Sequence, residues 1–216
     1  MSETEANRAY RLLRQEIIRT ELPPGSAIVE SELCPRLGIG RTPVRDALQR
    51  LSHDGLVEIW PRRGTFVTQV TLSDLQQIFE VRVGLEQLVA ELATLRHGPN
   101  HLRRLQLLAR KSESLTGAES DVELDQSFHD LLLEMTGNSY LQRAYRQMAD
   151  SSLRLLYMTR CGMEAPDIQR RTLRLASAAL DRGDRLALAT ILVQHVREFR
   201  DRVAAAVFAT SERDAR

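Results

Sequence analysis

Apolar residues recur at helical spacing through the first fifty positions, at strand spacing from about 56 to 67, and at helical spacing again almost to the end. Tyr10, Leu13, Ile17 and Ile18 fall on one face of a helix expected over about 5–20. It stops before Leu22-Pro23-Pro24-Gly25, where two prolines and a glycine force a turn. A second helix, about 31–37, is expected to start at Ser31 as N-cap, to bury Leu33 and Leu37, and to close on Gly38. Thr42-Pro43 then predicts an N-cap followed by proline at the first helical position. That helix turns Val44, Leu48 and Leu51 inward and ends near His53-Asp54-Gly55. The runs 56–60 and 65–67 alternate like two strands around Pro61-Arg62-Arg63-Gly64. Helix, helix, short turn, helix, hairpin is the order of a winged helix-turn-helix.

From about residue 72 to 210 the pattern is helical nearly throughout. Breaks are expected at Gly98-Pro99-Asn100, Thr116-Gly117, Gly137-Asn138, Ala165-Pro166 and Gly183-Asp184. The fold class expected is mainly α: a winged helix-turn-helix with a small β-hairpin wing over 1–70, then an all-α bundle of about six helices over 71–216. The segment 68–73 reads as the linker, with Thr71 or Ser73 able to cap the next helix and Asp74 in its first turn. No internal repeat or low-complexity tract interrupts either region.

Composition adds exclusions. With 43% hydrophobic and 27% charged residues, the chain is far from a disordered composition. No run approaches the roughly 20 apolar residues of a membrane span. The charged N-terminus lacks the apolar core of a secretory signal, so a cytoplasmic location is expected. Cys34 and Cys161 lie far apart without metal-pair spacing, which argues against a disulfide or a cysteine metal site. Net charge is only +1, so any case for nucleic acid rests on where particular arginines sit.

In a helix-turn-helix the helix after the turn enters the major groove N-terminus first. Arg41, Thr42 and Arg45 stand at that end here, the two arginines one turn apart. Arginine there suits bidentate contact with guanine, each such pair being worth about 1–3 kcal/mol of discrimination. The helix start itself, with Thr42, favours a phosphate. Arg62, Arg63 and Gly64 form the hairpin tip, where a wing would meet phosphates or the minor groove. Ser31, opening the helix before the turn, joins this DNA-facing set. The alternative, that these arginines are solvated surface charges, is outweighed because they coincide with both DNA-facing ends of one motif.

The run from Pro24-Gly25 through Glu30-Ser31-Glu32-Leu33, Leu37-Gly38-Ile39-Gly40-Arg41-Thr42-Pro43-Val44-Arg45-Asp46-Ala47-Leu48 and Gly55-Leu56-Val57 to Arg62-Arg63-Gly64-Thr65-Phe66-Val67 resembles the DNA-binding domain of the GntR family of bacterial regulators. That resemblance implies DNA contacts at Arg41, Thr42, Arg45 and the wing tip. One departure is Gly40, where the family usually has serine, a phosphate contact. Residues 72–210 similarly resemble the ligand-binding domain of the FadR-type subfamily, on Val81-Arg82 with Leu85-Glu86, Asp125-Gln126-Ser127-Phe128-His129, Gly137-Asn138 with Leu141, and Gly183-Asp184 followed by His195.

Asp125 and His129, at i and i+4, project from one face of a helix. His195 lies among Leu188, Ile191, Leu192, Val196 and Phe199 and needs a polar partner there. Read from the residues alone, two arrangements fit: core histidines hydrogen-bonded to an acid, or two imidazoles and a carboxylate around a divalent ion. The resemblance implies a site of one aspartate and three histidines for a zinc- or nickel-like divalent metal ion. Asp125, His129 and His195 fill three positions, and Leu173 falls at the fourth. The alternative is a metal-free pocket in which the histidines and Arg82 bind an anionic effector directly. Tyr140, Tyr145 and Tyr157 are expected in core or interface, and His97 and His101 at the surface beside the 98–100 turn.

The function implied is an effector-responsive regulator, in expectation a repressor, that binds an inverted-repeat operator in double-stranded DNA as a homodimer. Its effector would be a small organic acid held in the helical domain, and no membrane partner is expected. An enzyme is the first rival, but the chain has no glycine-rich phosphate loop, nucleophile elbow or paired catalytic carboxylates. A helical module with a non-specific DNA tether is the second.

Overall fold

The computed structural model describes residues 3–113, 118–159 and 166–214. They group into two units: residues 1–74 together with 149–159, and residues 75–148 together with 160–216.

In the first unit, helix α1 (Glu5–Ile18) is capped by Thr4, whose Oγ1 accepts the Asn7 N–H at 3.3 Å. Its buried residues Ala9, Leu13 and Ile17 repeat every four positions and face α3. Helix α2 (Glu30–Leu37) begins one residue before Ser31, with Val29 at the N-cap and no side-chain hydrogen bond there. The expected Ser31 cap is therefore corrected: Glu30 and Glu32 supply by charge, in the first turn, what a capping hydroxyl would supply by hydrogen bond. Gly38 closes α2 at φ 64°, a left-handed conformation in which a side chain costs about 1 kcal/mol or more.

Helix α3 (Arg41–His53) also starts earlier than expected. Gly40 is its N-cap, and Thr42 and Pro43 are its second and third residues. Proline is tolerated there because no N–H of the first turn has an intrahelical acceptor. Strands β1 (Ala27–Ile28), β2 (Val57–Trp60) and β3 (Gly64–Val67) form an antiparallel sheet in the order β1-β3-β2. The two-residue β1 is too short to announce itself by alternation. At the wing tip the Arg63 N–H donates to Trp60 O at 3.0 Å, and Arg62 sits at φ 64°. Leu13, Ile17, Leu33, Leu37, Val44, Leu48, Leu51, Leu56 and Val67 make one core under these elements.

Residues 149–159 add two long-range anchors to this unit. Arg14 Nε donates to Asp150 Oδ2 at 2.9 Å, and the buried Arg154 reaches Thr68, Nη1 to Oγ1, at 2.9 Å. Asp74, ending a single 3₁₀ turn, accepts both the N–H and the hydroxyl of Thr71 at 2.8 Å. The next helix accordingly starts at Leu75, not directly after Ser73.

The second unit is helical: α4 (Leu75–Arg96), α5 (Pro99–Ser112), α6 (Ala118–Thr136), the first half of α7 (Ser139–Met158), α8 (Pro166–Asp181) and α9 (Arg185–Asp214). Among the described residues these six helices agree with the number expected. Helix α4 packs on α9 and α6, α8 on α9, and α5 on α6 and α8. At the breaks, Asn138 Oδ1 accepts the N–H groups of Tyr140 and Leu141 at 3.1 Å, and Asp184 Oδ1 accepts that of Ala187 at 2.9 Å. His101 Nδ1 accepts the Gly98 N–H at 3.1 Å. His97 and His101 are both half-buried, a correction to their expected surface placement. The break expected at Thr116-Gly117, and Cys161, lie outside the described residues.

Among the described residues no helix is long and apolar enough to cross a membrane.

Candidate nucleic-acid interface and metal centre

Arg41, Thr42 and Arg45 are all exposed on the first two turns of α3, and the first turn holds no acidic residue. The N–H groups of that turn, with two guanidinium groups beside them, make a positive end suited to phosphate and to base edges. Arg45 Nε donates to Glu30 Oε2 on α2 at 2.8 Å, so its fork is held in one direction. Arg50, further along, is engaged within the unit by Asn7 Oδ1 at 2.7 Å and by the face of Tyr10. Ser31 is exposed in the first turn of α2. Arg62, Arg63 and Gly64 are exposed at the wing tip, where Arg63 lies over the Trp60 ring at 5.2 Å. A Cβ added to Gly40 would meet Pro43 Cδ at 3.8 Å, an ordinary contact, so the position has room for serine.

The polar centre of the second unit is built by five helices. Helix α4 contributes Arg82 and Glu86, α6 Asp125 and His129, α7 Tyr145, α8 Thr172, and α9 His195. Asp125, His129 and His195 are brought together, each offering a donor atom within 4.8 Å of the others. His195 Nε2 lies 2.8 Å from Asp125 Oδ1, and its Nδ1 lies 3.5 Å from Thr172 Oγ1. His129 Nδ1 lies 2.9 Å from the Asp125 carbonyl oxygen, while its buried Nε2 has no hydrogen-bond partner. On His195 the nitrogen facing the Asp125 carboxylate is oriented by the Thr172 hydroxyl behind the ring, as an outer oxygen orients a metal-ligating histidine, whereas His129 turns Nδ1 toward Asp125 and Nε2 toward Glu86. With a carboxylate completing the set, these donors fit a zinc- or nickel-like divalent ion.

Three members, Glu86, Tyr145 and Thr172, were not singled out as site residues by sequence. Glu86 is fully buried, with its Oε1 accepting the Tyr145 hydroxyl at 2.6 Å and lying 3.4 Å from His129 Nε2 and 3.7 Å from Arg82 Nη2. Tyr145 also stacks on the His129 ring at 5.5 Å. The signal for Glu86 was present, since it lies four residues after Arg82 and would share its buried face. Tyr145 had no such marker: its spacing with Tyr140 and Tyr157 suggested packing alone, whereas Tyr140 is exposed and only Tyr145 enters this centre. Leu173, next to Thr172, is fully buried.

The charges are strongly coupled. Burial alone would pull the His129 imidazolium down, but the facing Asp125 and Glu86 carboxylates outweigh it and hold it up at about 10. Burial would likewise push the Asp125 carboxyl up, and the His129 and His195 rings instead hold it well below the usual range. The Glu86 carboxyl is held low against the same burial cost by His129 first, then by Arg82 and Tyr145. Burial and the Glu86 charge both push the Tyr145 hydroxyl up. Glu86 Oε2 and Arg82 Nε remain buried without partners.

An N-terminal unit with the order of a winged helix-turn-helix, joined to a helical unit with a polar centre, defines a DNA-binding regulator carrying a sensor domain. Residues 5–67 match the family described as bacterial regulatory proteins, gntR family, and residues 77–198 match the FCD domain. The chain belongs to the GntR family of bacterial transcription regulators, in the group that carries an FCD domain.

It is 30% identical over 145 residues to the uncharacterized HTH-type transcriptional regulator YdhC of Bacillus subtilis strain 168, a match covering 65% of each chain, just under two thirds of that relative's length. It is 26% identical over 197 residues to the HTH-type transcriptional repressor RspR of Escherichia coli K12, covering 90% of this chain and 86% of that one. Among solved structures, E. coli McbR/YncC shares the fold at a TM-score of 0.74 and 21% identity, covering 91% of this chain and 95% of that one. A regulator of Rhodococcus sp. RHA1 does so at a TM-score of 0.69 and 20% identity, covering 93% and 97%.

Proposed function

We propose that the protein is a cytoplasmic repressor that binds an inverted-repeat operator as a homodimer and responds to a small organic acid held in the FCD domain. Arg41 and Arg45 read guanines in the major groove, Thr42 and Ser31 contact phosphates, and Arg62, Arg63 and Gly64 bring the wing to the flanking groove. The repressor role is supported by the name of the relative RspR. The dimer is supported by the small reach of a single winged helix, which takes its specificity from two half-sites.

The observation that carries the sensing half is the convergence of Asp125, His129 and His195, whose donor atoms lie within 4.8 Å of one another. These three residues would hold one divalent ion, with Leu173 leaving coordination open to the carboxylate of the effector. The ion would supply a positive charge that polarises and anchors that carboxylate, and Arg82 would supply a second. Titration of the purified, chelator-stripped protein with Zn²⁺ or Ni²⁺ tests this. The wild type should gain thermal stability with added ion and His195→Ala should not, while both bind the same DNA equally well. Equal response of the two proteins to the ion would remove these three residues from the metal reading.

A further inference from the structure

Trp60 is the only tryptophan of the chain, and it stands 46% exposed at the end of β2. Side chains alternate along a strand, so Trp60 shares its face with Glu58, while the buried Val57 points the other way, into the core. Two contacts hold the ring on that outer face. Its Nε1–H donates to Glu58 Oε2 at 2.9 Å, and the Arg63 guanidinium carbon lies over the ring, 5.2 Å from its centroid. The backbone brings these groups together: Trp60 pairs with Gly64 across the hairpin, and its carbonyl oxygen accepts the Arg63 N–H at 3.0 Å. Pro61 and Arg62 fill the two central positions of that turn. Arg62 sits at φ 64°, the sign that a type II turn demands at its second central residue. The turn fixes where the Arg63 side chain begins, but not where its guanidinium goes.

We propose that Trp60 is a positioning residue of the DNA interface: its indole face, set by Glu58, holds the Arg63 fork ready for a backbone phosphate at the rim of the groove. This role rests on the DNA-facing reading of the wing given above and names what Arg63 meets there. A long side chain left loose in solvent must be ordered when it binds, and that ordering weakens binding. Stacked on the indole, the guanidinium is ordered beforehand. Its N–H donors lie in its own plane, so the stack leaves them directed outward. Among the described residues no carboxylate pairs with Arg63, and its charge is left for a partner. Thickness decides between phosphate and base. With 5.2 Å between guanidinium carbon and ring centroid, the stacked pair exceeds the roughly 6 Å width of the minor groove once atomic radii are added. The stacked arginine therefore meets a phosphate, which fixes register without selecting a sequence.

The test compares the full-length wild type, Trp60→Leu, Trp60→Phe, Arg63→Ala and Trp60→Leu/Arg63→Ala on a mixed-sequence DNA duplex over a range of salt. Arg63→Ala should weaken binding by about 10-fold and lower the salt slope by about 1. Trp60→Leu should weaken it by about 3- to 10-fold, and Trp60→Phe, which keeps an aromatic face, by less. The double variant should bind no worse than Arg63→Ala alone, because the ring acts only through that arginine. Without DNA, the single tryptophan reports its own stack: Arg63→Ala should uncover one face of the ring and raise quenching of its emission by acrylamide. Unchanged quenching would overturn the positioning role. Wild-type binding by Trp60→Leu beside a weakened Arg63→Ala would also overturn it and leave the wing reading standing. Additive losses in the double variant would do the same, by putting the indole itself on the DNA. Unchanged binding by Arg63→Ala would overturn both.

Discussion

The exposed arginine surface of the first unit and the buried centre of the second are both made of charged side chains, but they hold their charges in opposite ways. On the first unit, Arg41, Arg45, Arg62 and Arg63 stand in solvent, with Arg45 tied only to an exposed-side glutamate. In the second unit, Arg82, Glu86 and His129 are each at most 5% exposed, and Glu86 Oε1 lies 3.4 Å from His129 Nε2 and 3.7 Å from Arg82 Nη2. The first arrangement costs the fold little and leaves the charges free for a partner. The second is expensive to take out of water and persists only as a set. The same residue types therefore stand open to solvent in one region and hold a fixed internal geometry in the other.

Removing a member of the buried set should have the largest effect. Glu86→Ala leaves Arg82 and His129 buried without their shared anion and should cost about 3–5 kcal/mol of unfolding free energy, read by chemical denaturation. Loss below about 1 kcal/mol would show that this centre tolerates unpaired charge and that the contrast is misdrawn. On the open surface, Arg45→Ala should leave stability unchanged within about 0.5 kcal/mol. It should weaken operator binding by about 1–3 kcal/mol and relax base preference, in a binding assay at fixed salt. Unaltered affinity would remove Arg45 from base readout.

Two smaller effects sharpen the comparison. Glu30→Gln releases Arg45 from its exposed ion pair and should change operator affinity by less than about 1 kcal/mol, the range of such pairs. A change several times larger would mean that Glu30 holds Arg45 in its reading conformation. Gly40→Ser adds a capping hydroxyl where the backbone is already extended and the space is open. It should stabilise the fold by a few tenths of a kcal/mol, visible as a small rise in Tm.

Most of the architecture was legible because the periods of 3.6 and 2 change where the elements change. The winged helix could be read to within two residues at most helix ends. Its misplacements, at Ser31 and at Thr42-Pro43, have one cause: capping preferences name residue types, whereas Val29 and Gly40 take the cap positions by backbone conformation alone. The trio Asp125, His129 and His195 was legible as chemistry on helix faces. Tyr145 was not, since its neighbours Glu86 and His129 come from other helices and no local spacing reports that. The grouping of residues 149–159 with the first unit rests on Arg14 with Asp150 and Arg154 with Thr68, pairs 136 and 86 positions apart.

The central claim is that this chain reads a specific inverted repeat through two copies of α3. The most direct measurement is selection of randomised and genomic DNA fragments by the purified protein, with and without added divalent ion, followed by sequencing of what binds. The account predicts one enriched inverted repeat with half-sites about 10 base pairs apart, centre to centre, or a multiple of that, and its loss in Arg41→Ala/Arg45→Ala. Binding that falls steeply with salt yet enriches no sequence, and that is the same in the double variant, would contradict it.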